Sequence, residues 1–409
     1  MKEIIVIGGG ASGLVSAIYA SQSGYNVTLL EKNNNLGKKI LITGNGKCNY
    51  WNQNISIEKY NTSFKDELQK IIDKTNQKEI IHLFDKLGIV PKIRDGYYYP
   101  YSNQATSVQT ALIKECEVLG IKIITNCEVT KIEKENNIFK ISSSNGIFKA
   151  NKIILSTGSL AYPKTGSTGD GYEFLKHFGH SIITPIPALV QLKSNDKYLK
   201  EWHGIRTDVK VTLKEGEKVL KTETGEIQLT DYGVSGICIL NLSSIASRKI
   251  FEKKKINIEI NFLNPFNINK DKDFISFMDK RNNIMEKRTI SDLLDGLLNY
   301  KLINLILKLS KIKIEEYWNN VPQNKKIDLY NYLTKFTVNI IGTNSFDNAQ
   351  TTTGGIPLTE INQMTMESLK EKDLFITGEL LDVDGECGGF NLAFAWITGM
   401  LAGKGASND

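Results

Sequence analysis

Paired cysteines are the first thing this sequence lacks. Its five cysteines, at positions 48, 116, 127, 238 and 387, form an odd set with no C-x-x-C pair. That excludes a disulfide framework and a zinc-ribbon pattern, and it implies a reduced, cytoplasmic chain. Long apolar runs are also missing: the most apolar helical stretch, LLNYKLINLILKLSKI, carries Lys301, Lys308 and Lys311. No window therefore offers the roughly 18 uncharged residues of a membrane span, and a soluble protein with no membrane partner is expected. The first residues run directly into a strand-and-glycine pattern with no basic region ahead of an apolar core, so no signal peptide is expected. Basic blocks are scarce too. The formal charge of +6 is spread over lysines that alternate with acids, as in KDKDFISFMDKRNN. This is a solvated surface and not a polyanion groove, so nucleic acid is not the expected partner. Oligomeric state is left open.

What is present is an ordinary globular composition, 41% hydrophobic and 23% charged over 409 residues, long enough for two or three domains. The amino terminus reads KEIIVIGGGASGLVSAIYASQSGYNVTLLEK. The β-branched run Ile4 to Ile7 suits a strand buried on both faces. Gly8, Gly10 and Gly13 then form G-x-G-x-x-G ahead of a helix with an apolar face. The first glycine permits a tight turn, the second lets backbone approach a pyrophosphate, and the third lets helix pack on strand. The helix amino terminus, with Ser12 and the amides around it, is expected to meet that pyrophosphate. NVTLL reads as the second strand, and Glu31 at its end is placed to accept hydrogen bonds from ribose hydroxyls. An acid there favours FAD or NAD over NADP.

A second glycine-rich junction decides between them. A strand, Leu374 to Thr377, runs into Gly378-Glu379, and a loop containing Asp384, Gly388, Gly389 and Phe390 leads to a helix starting near Asn391. Two such junctions suit a long cofactor that needs a loop at each end, and FAD is such a molecule. No second G-x-G-x-x-G follows a strand, so NADH or NADPH, if it is the transient reductant, has no Rossmann domain of its own. GKKILITGNGKCN departs from a phosphate-binding Walker loop, because no Ser or Thr follows Lys47.

IIVIGGGASGLVSAIYA, LGKKILITGNGKCN, STGSLAYPKTGSTGDGYEFLKHFGHSI, LTDYGVSGICILNLS, TTTGGIPLTEINQMTMESL and TGELLDVDGECGGFNLAFAWITG occur in this order from end to end. Together they resemble the BaiN-like family of bacterial NAD(P)/FAD-dependent oxidoreductases, which includes aminoacetone oxidase-like flavoproteins. The resemblance implies an α/β fold: a Rossmann-like, glutathione-reductase-like FAD-binding domain, discontinuous over 1–187 and 346–409. It is interrupted by an inserted β-rich domain, 188–264 and about 335–345, and a helical subdomain, 265–334. Independent support comes from TDVKVTLKEGEKVLKTETGEIQLT, which alternates like hairpins with turn signals at EGEK and ETGE. TISDLLDGLLNYKLINLILKL has the spacing of one amphipathic helix capped by Ser291 or Asp292. The resemblance also implies that Ala11, Lys32, Val129, Thr157 and Gly158 border the cofactor. It sets Lys38 and Lys39 against the phosphates, and brings Gly44, Asn45, Gly46, Cys48 and Asn49 past the flavin.

No catalytic residue is fixed by the sequence. Cys48, Cys387 and His203 are candidates, each with a plainer reading as a packed or surface side chain. Asp170 reads first as a helix cap. His177 and His180, three apart on one helix, lack the nearby acid or cysteine that a metal would need, and no metal is expected. The expected activity is hydride transfer through FAD from NAD(P)H to a small organic substrate such as an unsaturated ketone. An amine oxidase passing electrons to oxygen, and an RNA-acting flavoprotein, are the alternatives.

Overall fold

A computed structural model describes residues 3–75 and 77–408. The chain divides into two compact units, Met1–Ala188 with Phe346–Asp409, and Leu189–Ser345. In the first, five parallel strands lie in the order Leu374–Ile376, Lys152–Leu155, Glu3–Ile7, Asn26–Leu30 and Lys122–Ile124. The central strand is fully engaged: Ile4 pairs with Lys152 on one side and Val27 on the other. Its residues Ile4 to Ile7 are buried on both faces, as an apolar run without alternation requires.

Two long helices cover this sheet, Ala11–Gln22 and Phe390–Ala406. They approach each other through glycine. A Cβ on Gly399 would lie 2.5 Å from the Ser12 carbonyl oxygen, and one on Gly403 would lie 2.6 Å from that of Ser16. Backbone contact this close is open only to residues without a side chain, and it brings the amino-terminal and carboxyl-terminal segments together across the whole sequence. An antiparallel sheet of Val129–Glu135, Ile138–Ser143 and Gly146–Ala150, and a small one of Trp51–Asn52, Tyr97–Pro100 and Pro91–Arg94, complete the larger sheets of this unit.

The second unit is built on seven strands paired antiparallel, with the hairpin Arg206–Glu215 and Lys218–Leu229 at its centre. EGEK is its turn, with Gly216 at φ +59°. ETGE is not a turn: Gly225 pairs with Val209 inside the longer strand, because the facing strand continues past it and supplies partners. The single helix expected from Thr289 onward is two helices, Ile290–Leu294 and Tyr300–Leu309. The cap is Thr289, whose hydroxyl takes the Asp292 amide while the Asp292 carboxylate takes the Thr289 amide, a reciprocal capping box. Asn299 caps the second helix at Lys301, so Gly296 and a strong local cap end what periodicity alone joined. Trp318, Phe274 and Met278 are fully buried in this unit's core.

Candidate functional site

The first junction opens where the strand Glu3–Ile7 meets Gly8, at φ +102°, with a hypothetical Cβ 2.5 Å from the Ser156 carbonyl oxygen. At Gly13 a Cβ would sit 1.9 Å from the Gly8 oxygen, so the helix can start this close to the turn only with glycine there. Gly10 is different: nothing but the Ser156 oxygen, at 4.0 Å, stands near a Cβ placed on it. This open side is where the helix begins. No side chain caps Ala11–Gln22, so the first-turn amides of Ala11, Ser12 and Gly13 and the positive end of the helix dipole are left for another acceptor. The Ser12 hydroxyl accepts a hydrogen bond from the Thr377 hydroxyl at 3.1 Å, tying this turn to the carboxyl-terminal strand.

Glu31 is buried at the end of the second strand. Its Oε2 accepts the Gly9 amide at 2.8 Å, and its Oε1 accepts the Asn33 amide at 2.8 Å and the Asn33 Nδ2 at 2.7 Å. Lys32 pairs with the Asp170 carboxylate at 2.6 Å and contacts the Thr168 hydroxyl. Asp170 is thus an ion-pair partner and not a cap: Gly169, at φ +85°, is the residue ahead of that helix. Lys38 donates to Asn33 Oδ1 at 2.9 Å. Lys39 pairs with Glu379 Oε2 at 2.6 Å, an oxygen that also accepts the Ser159 hydroxyl at 2.9 Å. Both lysines therefore have protein partners in addition to any phosphate.

At the second junction, the strand Leu374–Ile376 leads through Gly378 to a helix whose preceding residue is Gly389, at φ +92°. A Cβ there would meet Asn49 Oδ1 at 2.9 Å and the Trp51 carbonyl at 3.0 Å. This helix also has no side-chain cap. The Asn391 amide group turns back onto the loop, accepting from the Gly385 amide and donating to its carbonyl, both at 2.8 Å. The helix end consequently presents backbone, with Phe390 in its first turn. Gly388, at φ +125°, holds its carbonyl on Asn52 Nδ2 at 2.8 Å, and a Cβ on it would lie 2.5 Å from the Tyr97 ring. Asp384 is buried and accepts from Asn61 Nδ2 at 2.9 Å.

Between the junctions, Gly44, Asn45, Gly46 and Cys48 all take positive φ, which folds the chain so that a Cβ on Gly44 would be 2.9 Å from the Asn49 amide. Cys48 is fully buried; burial pushes its thiol up to about 12, against a smaller opposing pull from the Thr43 hydrogen bond. It is a neutral thiol at physiological pH. The buried polar atoms of this unit with no hydrogen-bond partner include Asn49 Oδ1, Trp51 Nε1 and Thr157 Oγ1. Unpartnered buried polar groups cost free energy unless a ligand or water meets them. Together with the open side of Gly10 and two uncapped helix ends, they fit an extended anionic dinucleotide. Gly158 follows Thr157 at φ +75°, where a Cβ would meet Ser167 Oγ at 2.3 Å, and Val129 starts its strand buried.

Cys387 is partly buried, and His203 is exposed in the other unit with Nδ1 4.0 Å from Asp231. His177 ends its helix, but His180 lies beyond it. There Nδ1 meets Glu360 at 2.8 Å and Nε2 meets Ser368 at 2.7 Å. The helical spacing assumed for the pair fails because the chain turns at Gly179, φ +82°. No group of three metal-binding side chains stands together among the described residues, and no helix there is long and apolar enough to cross a membrane. Asn33, Asn52 and Ser159 were not legible as site residues. Asn33 alone left a signal, an amide two positions past Glu31.

The chain matches the HI0933-like protein Rossmann domain over residues 2–405. It is 37% identical over 410 residues to a 3-dehydro-bile acid delta(4,6)-reductase of Clostridium scindens, covering 100% of this chain and 99% of that protein. A ribosomal RNA dihydrouridine synthase of Haemophilus influenzae is 26% identical, with 97% and 96% covered. Among solved structures, 3-ketosteroid-delta4-(5alpha)-dehydrogenase of Rhodococcus jostii RHA1 shares the fold at a TM-score of 0.50 and 11% identity, covering 100% of this chain and 97% of that one.

Proposed function

The chain belongs to the HI0933-like Rossmann family of FAD-dependent oxidoreductases, and on that premise we propose that it reduces a carbon–carbon double bond conjugated to a carbonyl in a small organic substrate. NADH or NADPH supplies the electrons. The observation that carries this reading is the uncapped start of each of two helices that pack against each other through Gly399 and Gly403, in a chain similar over its whole length to a 3-dehydro-bile acid delta(4,6)-reductase. The names of both relatives fit one kind of chemistry: the delta(4,6) double bonds of a 3-oxo ring system and the 5,6-bond of uridine are each conjugated to a carbonyl.

FAD, when bound, supplies hydride transfer. The residues of this chain bind and orient. Gly8 to Gly13 and the uncapped helix would hold the pyrophosphate. Glu31, with a lone pair of Oε2 to spare beyond the Gly9 amide, takes ribose hydroxyls. Asn49 Oδ1 and Thr157 Oγ1 offer polar atoms that nothing else uses. The backbone from Gly388 to Asn391, at the positive end of a 17-residue helix, would stabilise negative charge on a flavin held there. Lys39 and the Ser159 hydroxyl keep the carboxylate of Glu379 compensated.

The test is anaerobic mixing of the purified protein, first with NADH or NADPH and then with a 3-oxo-delta4 steroid, following the visible flavin band. Bleaching by the nicotinamide and recovery with the enone are expected. Bleaching by an aminoacetone-like amine, with none by nicotinamide, would overturn the reading in favour of an oxidase. Recovery only with a uridine-containing ribosomal RNA fragment would move it to RNA.

A further inference from the structure

We propose that Asn33 is the positioning residue that sets the Glu31 carboxylate for the adenosine ribose of FAD, a role that rests on the FAD reading above. Both hydrogens of its side-chain amide and its Oδ1 are engaged. One Nδ2 hydrogen goes to Glu31 Oε1 at 2.7 Å, the other to the Thr165 carbonyl at 3.1 Å, and Oδ1 accepts from Lys38 at 2.9 Å. Its backbone adds a second bond to the same Glu31 oxygen at 2.8 Å, and its carbonyl takes the Asn126 amide at 2.9 Å.

Glu31 Oε1 thus carries two hydrogen bonds from Asn33, while Oε2 carries one, from Gly9. The carboxylate is held in a single orientation with Oε2 as the oxygen that still has room to accept. The arrangement demands two donors and one acceptor at position 33, which asparagine has and aspartate lacks. It also demands glycine at 166: a Cβ there would lie 2.2 Å from Asn33 Nδ2. Position 33 therefore connects the ribose acid, the helix that begins at Lys38 and the turn Pro163–Thr165 through one amide.

A residue that only braced the turn would weaken all cofactors alike. A residue that positions Glu31 changes discrimination between cofactors. The experiment measures the affinity of apoprotein for FAD, and for an FAD analogue lacking both adenosine ribose hydroxyls, by flavin fluorescence. Wild type, Asn33→Ala, Asn33→Asp, Glu31→Gln and the double variant Glu31→Gln/Asn33→Ala are compared, with thermal melts of the apoproteins reporting folding. Wild type is expected to prefer FAD by more than about tenfold, the scale of a charged hydrogen bond. In both Asn33 variants that preference should fall to within about threefold, chiefly by loss of FAD affinity. Adding Asn33→Ala to Glu31→Gln should then cost little more. Asn33→Asp keeps the shape of the side chain, so the comparison does not depend on the alanine variant folding. An unchanged preference with both affinities lowered equally, or costs that simply add, overturns the proposal. Wild-type protein that binds neither cofactor fails the FAD reading itself.

Discussion

The two units hold themselves together by different means. Between 189 and 345, only Gly233 and Gly236 would bring a Cβ within 3 Å of neighbouring atoms, and Gly204, Gly296 and Gly342 face open space. That unit is an antiparallel sheet with helices, stabilised by buried Trp318, Phe274 and the aliphatic residues around them. In the other unit, Gly8, Gly13, Gly399 and Gly403 let backbone touch backbone. A core of large side chains tolerates some repacking, whereas a backbone approach has no side chain to move. The lesson is that the unit expected to bind a dinucleotide depends on having no atoms at particular points, and the inserted unit depends on having many.

The sharpest way to separate them is to remove atoms from one and add atoms to the other. Trp318→Ala should cost the 189–345 unit about 3–5 kcal/mol, since the ring is fully buried and its Nε1 donates to Asp279 at 2.6 Å. Calorimetry should show a lowered transition while FAD affinity stays near wild type. Gly13→Ala adds one methyl at 1.9 Å from the Gly8 oxygen and should cost about 2–3 kcal/mol, read as roughly a hundredfold weaker FAD binding. Gly342→Ala, at a glycine in open space, should stay within about 0.5 kcal/mol. Equal effects at 13 and 342 would break the comparison.

A smaller effect tests the polar side of the first unit. Burial holds the His180 imidazole below its ordinary value, more than Glu360 pulls it up. With Nδ1 protonated toward Glu360, Nε2 accepts from Ser368, whose oxygen already accepts the amides of Lys370 and Glu371. The folded state thus resists a proton that the unfolded chain takes up near pH 6.5. Stability should be full above that pH and fall as the pH drops below it, by up to about 1.4 kcal/mol per unit. His180→Asn should flatten this decline in denaturant titrations; a decline as steep as wild type would assign it elsewhere. Cys48→Ala should leave the flavin chemistry unchanged. A buried neutral thiol contributes packing, so flavin reduction and reoxidation rates should match wild type, with stability lower by about 1 kcal/mol.

Much of the first unit was legible because its signals are local. The run Ile4 to Ile7, the three glycines and Glu31 lie within one strand–helix–strand stretch, and the structure has those strands at Glu3–Ile7 and Asn26–Leu30. The carboxyl-terminal strand and the start of the helix after it were read within a residue of Leu374–Ile376 and Phe390. Periodicity misled where it met a strong cap, at Thr289, and where a glycine in a turn-like tetrapeptide had a strand opposite it, at Gly225.

By itself, then, the sequence determined the α/β class, the two glycine junctions and the acid at the end of the second strand, since each is written within a few residues by steric need. Only the tertiary structure decided which partners those residues take. Asn33 meets Thr165, Lys39 meets Glu379, Ser12 meets Thr377 and His180 meets Ser368 across separations of 132, 340, 365 and 188 positions. Hydrogen bonds over such distances follow from how the sheet orders its strands and how closely two helices can approach. Local pattern carries no record of either.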